Sequence, residues 1–146
     1  MATIAIVGAG LGGVLAAYEI KAEARASDRI VLISKGDAYH FVPSNPWVAV
    51  SWRDRETIEV DLPPVMQRKG IEFINTGAKC VHPSESRLEL NDGSSLNYDY
   101  LVIATGPDLA FDEIEGLGPE RFTQSICHVD HAERAAAAFD VFCDAP

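Results

Sequence analysis

Apolar residues recur along the chain in two rhythms. Residues Thr3–Val7 (TIAIV), 29–34 (RIVLIS), 71–75 (IEFIN) and 98–104 (YDYLVIA) are short, nearly continuous runs rich in Ile and Val. That is the pattern of strands buried on both faces of a parallel sheet. Between the first two runs, Val14, Leu15, Tyr18 and Ile20 stand among alanines at near-helical spacing, which predicts a helix over residues 11–25. The opening third is therefore strand, turn, helix, strand, a βαβ unit.

Residues 36–47 (GDAYHFVPSNPW) read as a structured loop, because Pro43 and Pro46 push the residues before them into extended geometry and Asn45 favours a turn. Residues 61–69 (DLPPVMQRK) predict a short helix with Asp61 as N-cap, prolines in the first turn and Gly70 as the stop. Three short strands follow at 78–81, 87–90 and 95–98, separated by PSES and NDGS, with the NDG at 91–93 marking a hairpin. A long connection rich in Asp and Gly runs over 108–120. In the last segment Asp130, with Glu133 three residues later, marks a helix start by a variant of the capping box. The pattern as a whole predicts an α/β, three-layer Rossmann-like domain: a parallel sheet, a helix layer and a small antiparallel β-meander.

Composition narrows the partners. With 22 acidic against 12 basic side chains the formal net charge is −10, which argues against nucleic acid, since a phosphate backbone is bound by clustered Lys and Arg. No window reaches the ~18 uninterrupted apolar residues of a spanning helix. The apolar first twenty residues lack a preceding positive charge and are interrupted by glycines, so a signal peptide is not expected. Cys80, Cys127 and Cys143 are an odd set without C-x-x-C spacing, which favours a reducing, cytoplasmic setting.

Candidate chemistry begins at Gly8-Ala9-Gly10-Leu11-Gly12-Gly13, a G-x-G-x-x-G pattern that follows a predicted strand and opens a predicted helix. In that context Gly8 allows the tight turn, Gly10 lets a pyrophosphate approach the backbone, and Gly13 lets the helix pack on the strand. The helix N-terminus then offers its amides and partial positive charge to the phosphates. An Asp or Glu usually holds the adenosine ribose at the end of the second strand; here Ser34 stands there, followed by Lys35. Ser34 can bond a ribose hydroxyl and Lys35 can meet a 2′-phosphate, so these residues alone leave FAD and NADP both open. Cys127-His128-x-x-His131 lacks a fourth ligand and is not a familiar zinc arrangement, so no metal is expected.

The strand ending in Ala104-Thr105-Gly106-Pro107 after a β-meander resembles the two-dinucleotide-fold flavoproteins, which points to FAD. The runs Phe41-Val42-Pro43-Ser44-Asn45-Pro46-Trp47 and Gln124-Ser125-Ile126-Cys127, the latter continuing through Val129-Asp130-His131-Ala132-Glu133-Arg134-Ala135, resemble the N-terminal part of sulfide:quinone oxidoreductases. Those enzymes are a branch of the pyridine nucleotide-disulfide oxidoreductases that includes flavocytochrome c sulfide dehydrogenase. The resemblance implies an FAD enzyme that oxidises sulfide to sulfur and passes two electrons to a membrane quinone. It makes Cys127 the first of three sulfur-handling cysteines and leaves Cys80 and Cys143 structural. For the cofactor it implies Gly8, Gly10, Gly12, Gly13, Ser34, Lys35, Pro43, Asn45, Ala78, Thr105, Gly106 and Pro107, with Trp47 near the flavin.

By the same resemblance residues 1–146 are an incomplete N-terminal FAD-binding lobe, with its closing strand and second dinucleotide fold elsewhere. Such a piece is expected to hold FAD weakly or not at all, to lack activity alone and to make no membrane contact itself. The parent protein is expected in the cytoplasm or peripheral to a bacterial membrane, with homo-oligomerisation open. A type II NADH:quinone oxidoreductase-like relative, a flavocytochrome c-like relative and a non-catalytic nucleotide-binding module remain the alternatives.

Overall fold

The computed structural model describes residues 1–145. Strand β1 (Thr3–Val7) leads into helix α1 (Leu11–Glu23), then β2 (Arg29–Ile33) and β3 (Ala38–His40). A 3-10 turn (Val42–Ser44) precedes the short helices α2 (Asn45–Ala49) and α3 (Arg55–Ile58). Strand β4 (Glu59–Asp61), helix α4 (Leu62–Lys69) and strand β5 (Glu72–Ile74) follow. Strands β6 (Ala78–His82), β7 (Arg87–Leu90), β8 (Ser95–Asn97) and β9 (Tyr100–Ile103) come next, and helix α5 (Val129–Asp144) comes last. No helix among the described residues is long and apolar enough to cross a membrane.

The chain forms two compact units. The first, Met1–Tyr39 with Asp61–Gly106, is built on a parallel sheet of order β5-β2-β1-β9. β1 pairs in register with β2 (Ile6 opposite Leu32) and with β9 (Ile6 opposite Val102). Alternate residues of these strands face opposite sides, and both sides are covered. Ala5, Val7, Val31 and Ile33 pack against Leu88, Leu90 and Leu96 of the antiparallel meander β6-β7-β8. Ile6, Ile30 and Leu32 pack against Ala17 of α1 and Leu62 and Met66 of α4. Meander, sheet and helices are the three layers that the apolar runs predict, and each Ile, Leu or Val so buried contributes about 1.5–3 kcal/mol.

Several local expectations are corrected. Residues 36–47 are not simply a loop: they carry β3, the 3-10 turn and the start of α2. Asn45 is helical (φ −54°, ψ −38°) although a proline follows it. Asp61 stands at the N-cap of α4 but makes no side-chain cap bond, because Pro63 and Pro64 occupy the positions whose N–H groups such a cap would bind. The first amide, that of Leu62, donates instead to the Asp37 carbonyl at 2.7 Å. β9 is not a fully buried strand. It ends the sheet order, and Tyr100 and Ile103 are 65% and 64% exposed. On α1 it is Gly13 and Ala17 that are buried, while Leu15 is 52% exposed; small residues let the helix approach the sheet closely.

The second unit comprises His40–Val60 and residues 107–145. Its apolar centre is Val48, Ile58, Val129 and Ala132, which joins α2 and α3 to α5. Around it Arg55 gathers three carboxylates: its Nε donates to Glu59, and Nη1 donates to Asp130 at 2.5 Å and to Glu133 at 3.1 Å. The bonds to Glu59 and then Asp130 hold the guanidinium protonated well above its ordinary range. This corrects the reading of Asp130 as a helix cap. The N-cap of α5 is His128, without a side-chain cap bond, and the pair spaced i, i+3 serves the guanidinium instead.

At the start of β1, Asp28 accepts the Ala2 N–H at 2.8 Å and the Arg25 N–H at 3.1 Å. The Ala2 bond foremost holds its carboxyl below the ordinary 3.8. Because the folded value is depressed, the stabilisation is complete above the unfolded value and is lost as pH falls through the folded one. The gap in thermal midpoint between the native protein and Asp28→Ala is therefore expected to be clear at pH 6 and to shrink below about pH 3.8; a gap unchanged down to pH 2 would contradict this. In the core, Leu32→Ala is expected to cost about 2–5 kcal/mol in urea unfolding.

Candidate functional site

The turn from β1 into α1 is fixed by contacts that leave no room for side chains. Gly8 has φ +104°, and a Cβ there would stand 2.2 Å from the Ala104 carbonyl oxygen; at Gly13 it would stand 1.7 Å from the Gly8 oxygen. The Gly8 N–H donates to Ile33 O at 2.8 Å and the Ala104 N–H to Val7 O at 2.7 Å, which seats the turn on the C-terminal ends of β2 and β9. β2 and β9 flank β1 on opposite sides, so this is the point where the strand order reverses and where ligands of open parallel sheets bind.

Gly10 and Gly12 differ from these two. A Cβ at either meets no atom within 4 Å, so their backbone faces open space rather than packed protein. Gly10 is the N-cap of α1, with no side-chain cap and no acidic residue in the first turn. The first-turn amides of any α-helix lack intrahelical partners. Here they and the helix dipole are left to an anion, and a pyrophosphate fits that cradle.

At the end of β2 the Ser34 amide donates to Ile74 O at 2.8 Å, and its Oγ accepts weakly from the Gly36 N–H at 3.4 Å. Its hydroxyl proton is therefore available to an external acceptor. Lys35 is exposed, and its Cγ lies 2.9 Å from where a Cβ of Gly77 would stand, so Lys35 borders the turn that opens into Ala78. That turn is closed by a residue that sequence reading assigned only to a hairpin. Asn91 donates its side-chain amide to Thr76 O at 2.8 Å and its backbone N–H to Gly77 O at 3.1 Å. Nothing in the local pattern announces this reach across fifteen residues. Thr105 and Gly106 are exposed just beyond β9, Gly106 with φ +75°. The first unit thus brings together Gly8, Gly10, Gly12, Gly13, Ala104 and Thr105 at one turn, and Lys35 with Ala78 at another.

The second unit holds Pro43, Asn45, Pro107 and Cys127. Pro43 and Pro107 are exposed and Trp47 is 40% exposed, with the Arg53 guanidinium 5.4 Å from its ring centre. Cys127 is exposed two residues ahead of α5, its N–H donating to Ser125 Oγ at 3.3 Å. Asn45 is 1% exposed and donates its side-chain amide to the Ile126 carbonyl at 2.9 Å. The His128 and His131 rings meet edge to face at 5.1 Å and help line a cavity of about 390 Å³ with Phe111, Leu117 and Glu120.

Comparison with known proteins places this arrangement. The family model described as pyridine nucleotide-disulphide oxidoreductase matches residues 2–139. A sulfide-quinone reductase of Aquifex aeolicus is 37% identical over 129 residues, covering 88% of this chain and 29% of the relative. A mitochondrial sulfide:quinone oxidoreductase of Dictyostelium discoideum is 30% identical over 119 residues, 78% of this chain and 25% of the relative. The crystal structure of the Aquifex aeolicus sulfide:quinone oxidoreductase superposes with a TM-score of 0.90 at 33% identity, covering all of this chain and 33% of that one. The chain thus spans under a third of the length of the curated relatives it matches. With a glycine turn seated at the strand-order reversal and a family match over nearly its whole length, the chain belongs to the pyridine nucleotide-disulphide oxidoreductase family.

Proposed function

We propose that this chain is the FAD-binding N-terminal part of a flavin-dependent sulfide:quinone oxidoreductase. The observation that carries the dinucleotide site is the contrast within six residues: Gly8 and Gly13 are packed against backbone, whereas Gly10 and Gly12 face open space at an uncapped helix start. The choice of sulfide and quinone as substrates is supported by the relatives of that name and by the FVPSNPW and QSIC runs.

In this reading the backbone of 8–13 and the start of α1 hold the pyrophosphate. Ser34 donates to a ribose hydroxyl, Lys35 and Ala78 border the adenosine end, and Thr105 and Gly106 lie toward the flavin. FAD, when bound, supplies the two-electron relay: sulfide loses two electrons to become zero-valent sulfur, and quinone gains two electrons and two protons to become quinol. Cys127 contributes its thiol, which as thiolate would add to zero-valent sulfur, the product of the two-electron oxidation, and hold it as a persulfide. Its exposure leaves the thiol accessible.

The glycine contrast gives a test that separates binding from folding. Gly10→Val in the native full-length protein is expected to leave the thermal midpoint of the apoprotein within a few degrees while flavin content after purification falls below about a tenth; undiminished flavin would remove the phosphate-loop assignment. Gly13→Ala forces a Cβ onto the Gly8 carbonyl and is expected to lower the yield of folded protein itself. For the substrates, decylubiquinone reduction is assayed with sulfide and with NADH as donor. Sulfide-dependent turnover that drops at least a hundredfold in Cys127→Ala supports the reading, and turnover with NADH alone points to a different donor.

A further inference from the structure

Two locally unfavourable features coincide at Asn45. It is helical although Pro46 follows, a conformation that the proline ring disfavours in the preceding residue. It is also 1% exposed, with its Oδ1 buried and without a hydrogen-bond partner, and an unpaired buried acceptor is costly. An apolar side chain of similar size would avoid the second penalty. What such a side chain could not supply is the donor at the other end of the same amide. The Asn45 Nδ2 donates to the carbonyl of Ile126 at 2.9 Å, across 81 residues of sequence. Only the amide nitrogen can donate to a carbonyl, so this bond fixes the orientation of the group and leaves Oδ1 as the orphan.

Ahead of His128, whose carbonyl accepts the Ala132 N–H at 3.0 Å and whose ring meets that of His131, the segment so held has little else to fix it. Ile126, Cys127 and His128 are exposed, and the Cys127 N–H reaches only as far as Ser125 Oγ, at 3.3 Å. Ser44, next to Asn45 and equally buried, accepts the Arg53 guanidinium at 2.8 Å, which anchors the far side of the same turn. We infer that Asn45 is a positioning residue for Cys127. Its side-chain donor pins the peptide immediately before the cysteine and so sets where the thiol is presented. The inference rests on the proposed role of Cys127, and it sets Asn45 apart from the residues that hold the cofactor.

Asn45→Asp keeps the shape of the side chain and removes the donor; Asn45→Ala removes both ends. In each, deuterium exchange of the peptide spanning 124–128 is expected to rise about tenfold, as for loss of one buried hydrogen bond, with exchange in β1 and β2 unchanged. In the native full-length protein, kcat for sulfide oxidation is expected to fall about tenfold while flavin content and the KM for quinone stay within twofold. Exchange at 124–128 that does not change, or flavin lost in proportion to activity, overturns the inference, the latter returning Asn45 to the cofactor site.

A measurement without substitution at Asn45 covers the case in which both variants unfold. In full-length protein with every cysteine other than Cys127 replaced by serine, alkylation of Cys127 by iodoacetamide should shift the side-chain amide resonance of Asn45 more than those of Asn75 and Asn91. Equal shifts, or none, overturn it. Failure of the Cys127 reading itself looks different: Cys127→Ala would keep full sulfide turnover while the exchange effect of Asn45→Asp persisted.

Discussion

The packing of the Gly8 backbone against the carbonyl of Ala104, and of Gly13 against Gly8, is the contact on which the first unit depends. It allows β1 to turn into α1 between the ends of β2 and β9 with no side chain intervening. The first turn of α1 is thereby aimed outward at the place where the strand order reverses. The two faces of the sheet then need only apolar alternation to be covered, by the meander on one side and by α1 and α4 on the other. Packing and ligand approach are divided among glycines of a single turn, so folding and binding place separate demands on neighbouring positions.

The second unit solves its problem differently. Its apolar centre is small, four buried residues between the short helices α2 and α3 and the first turn of α5. Polar groups of defined geometry supply much of the order: Arg55 drawing Glu59, Asp130 and Glu133 together, Arg53 on Ser44, and Asn45 on Ile126. A guanidinium with several carboxylates at a half-exposed site is worth less per pair than its geometry suggests. As a network, however, it fixes the direction of α5 relative to α3 within that unit.

The sequence was most legible where a rule is local and strong. Buried strands of Ile and Val, the glycine turn, the NDG hairpin and the Gly70 stop, which adopts φ +66°, could each be read from a few residues. It misled where a local rule was outvoted at a distance. The signal at Asp130 and Glu133 looks the same for a capping box as for a pair of partners to an arginine 75 residues away. Asn45 before Pro46 reads as a turn, whereas its backbone N–H continues the 3-10 turn by donating to the Val42 carbonyl and its side chain is held by Ile126. The prolines after Asp61 removed the very donors that would have made it a cap. Of the candidate site, the phosphate-facing turn was visible in the spacing of glycines, whereas the roles of Asn91 beside Lys35 and of Asn45 beside Cys127 depend on contacts that no spacing encodes.

The exposed strand β9 has a consequence for what the sheet can accept. Among the described residues it has β1 as its one neighbour in the sheet, and Tyr100 and Ile103 stand largely in solvent beside it. The outer row of peptide groups on such a strand is a template for any other extended segment, and it carries no lysine, proline or bulge to discourage pairing. An extended segment laid along that row would continue the sheet past β9 through main-chain hydrogen bonds, whatever its own side chains.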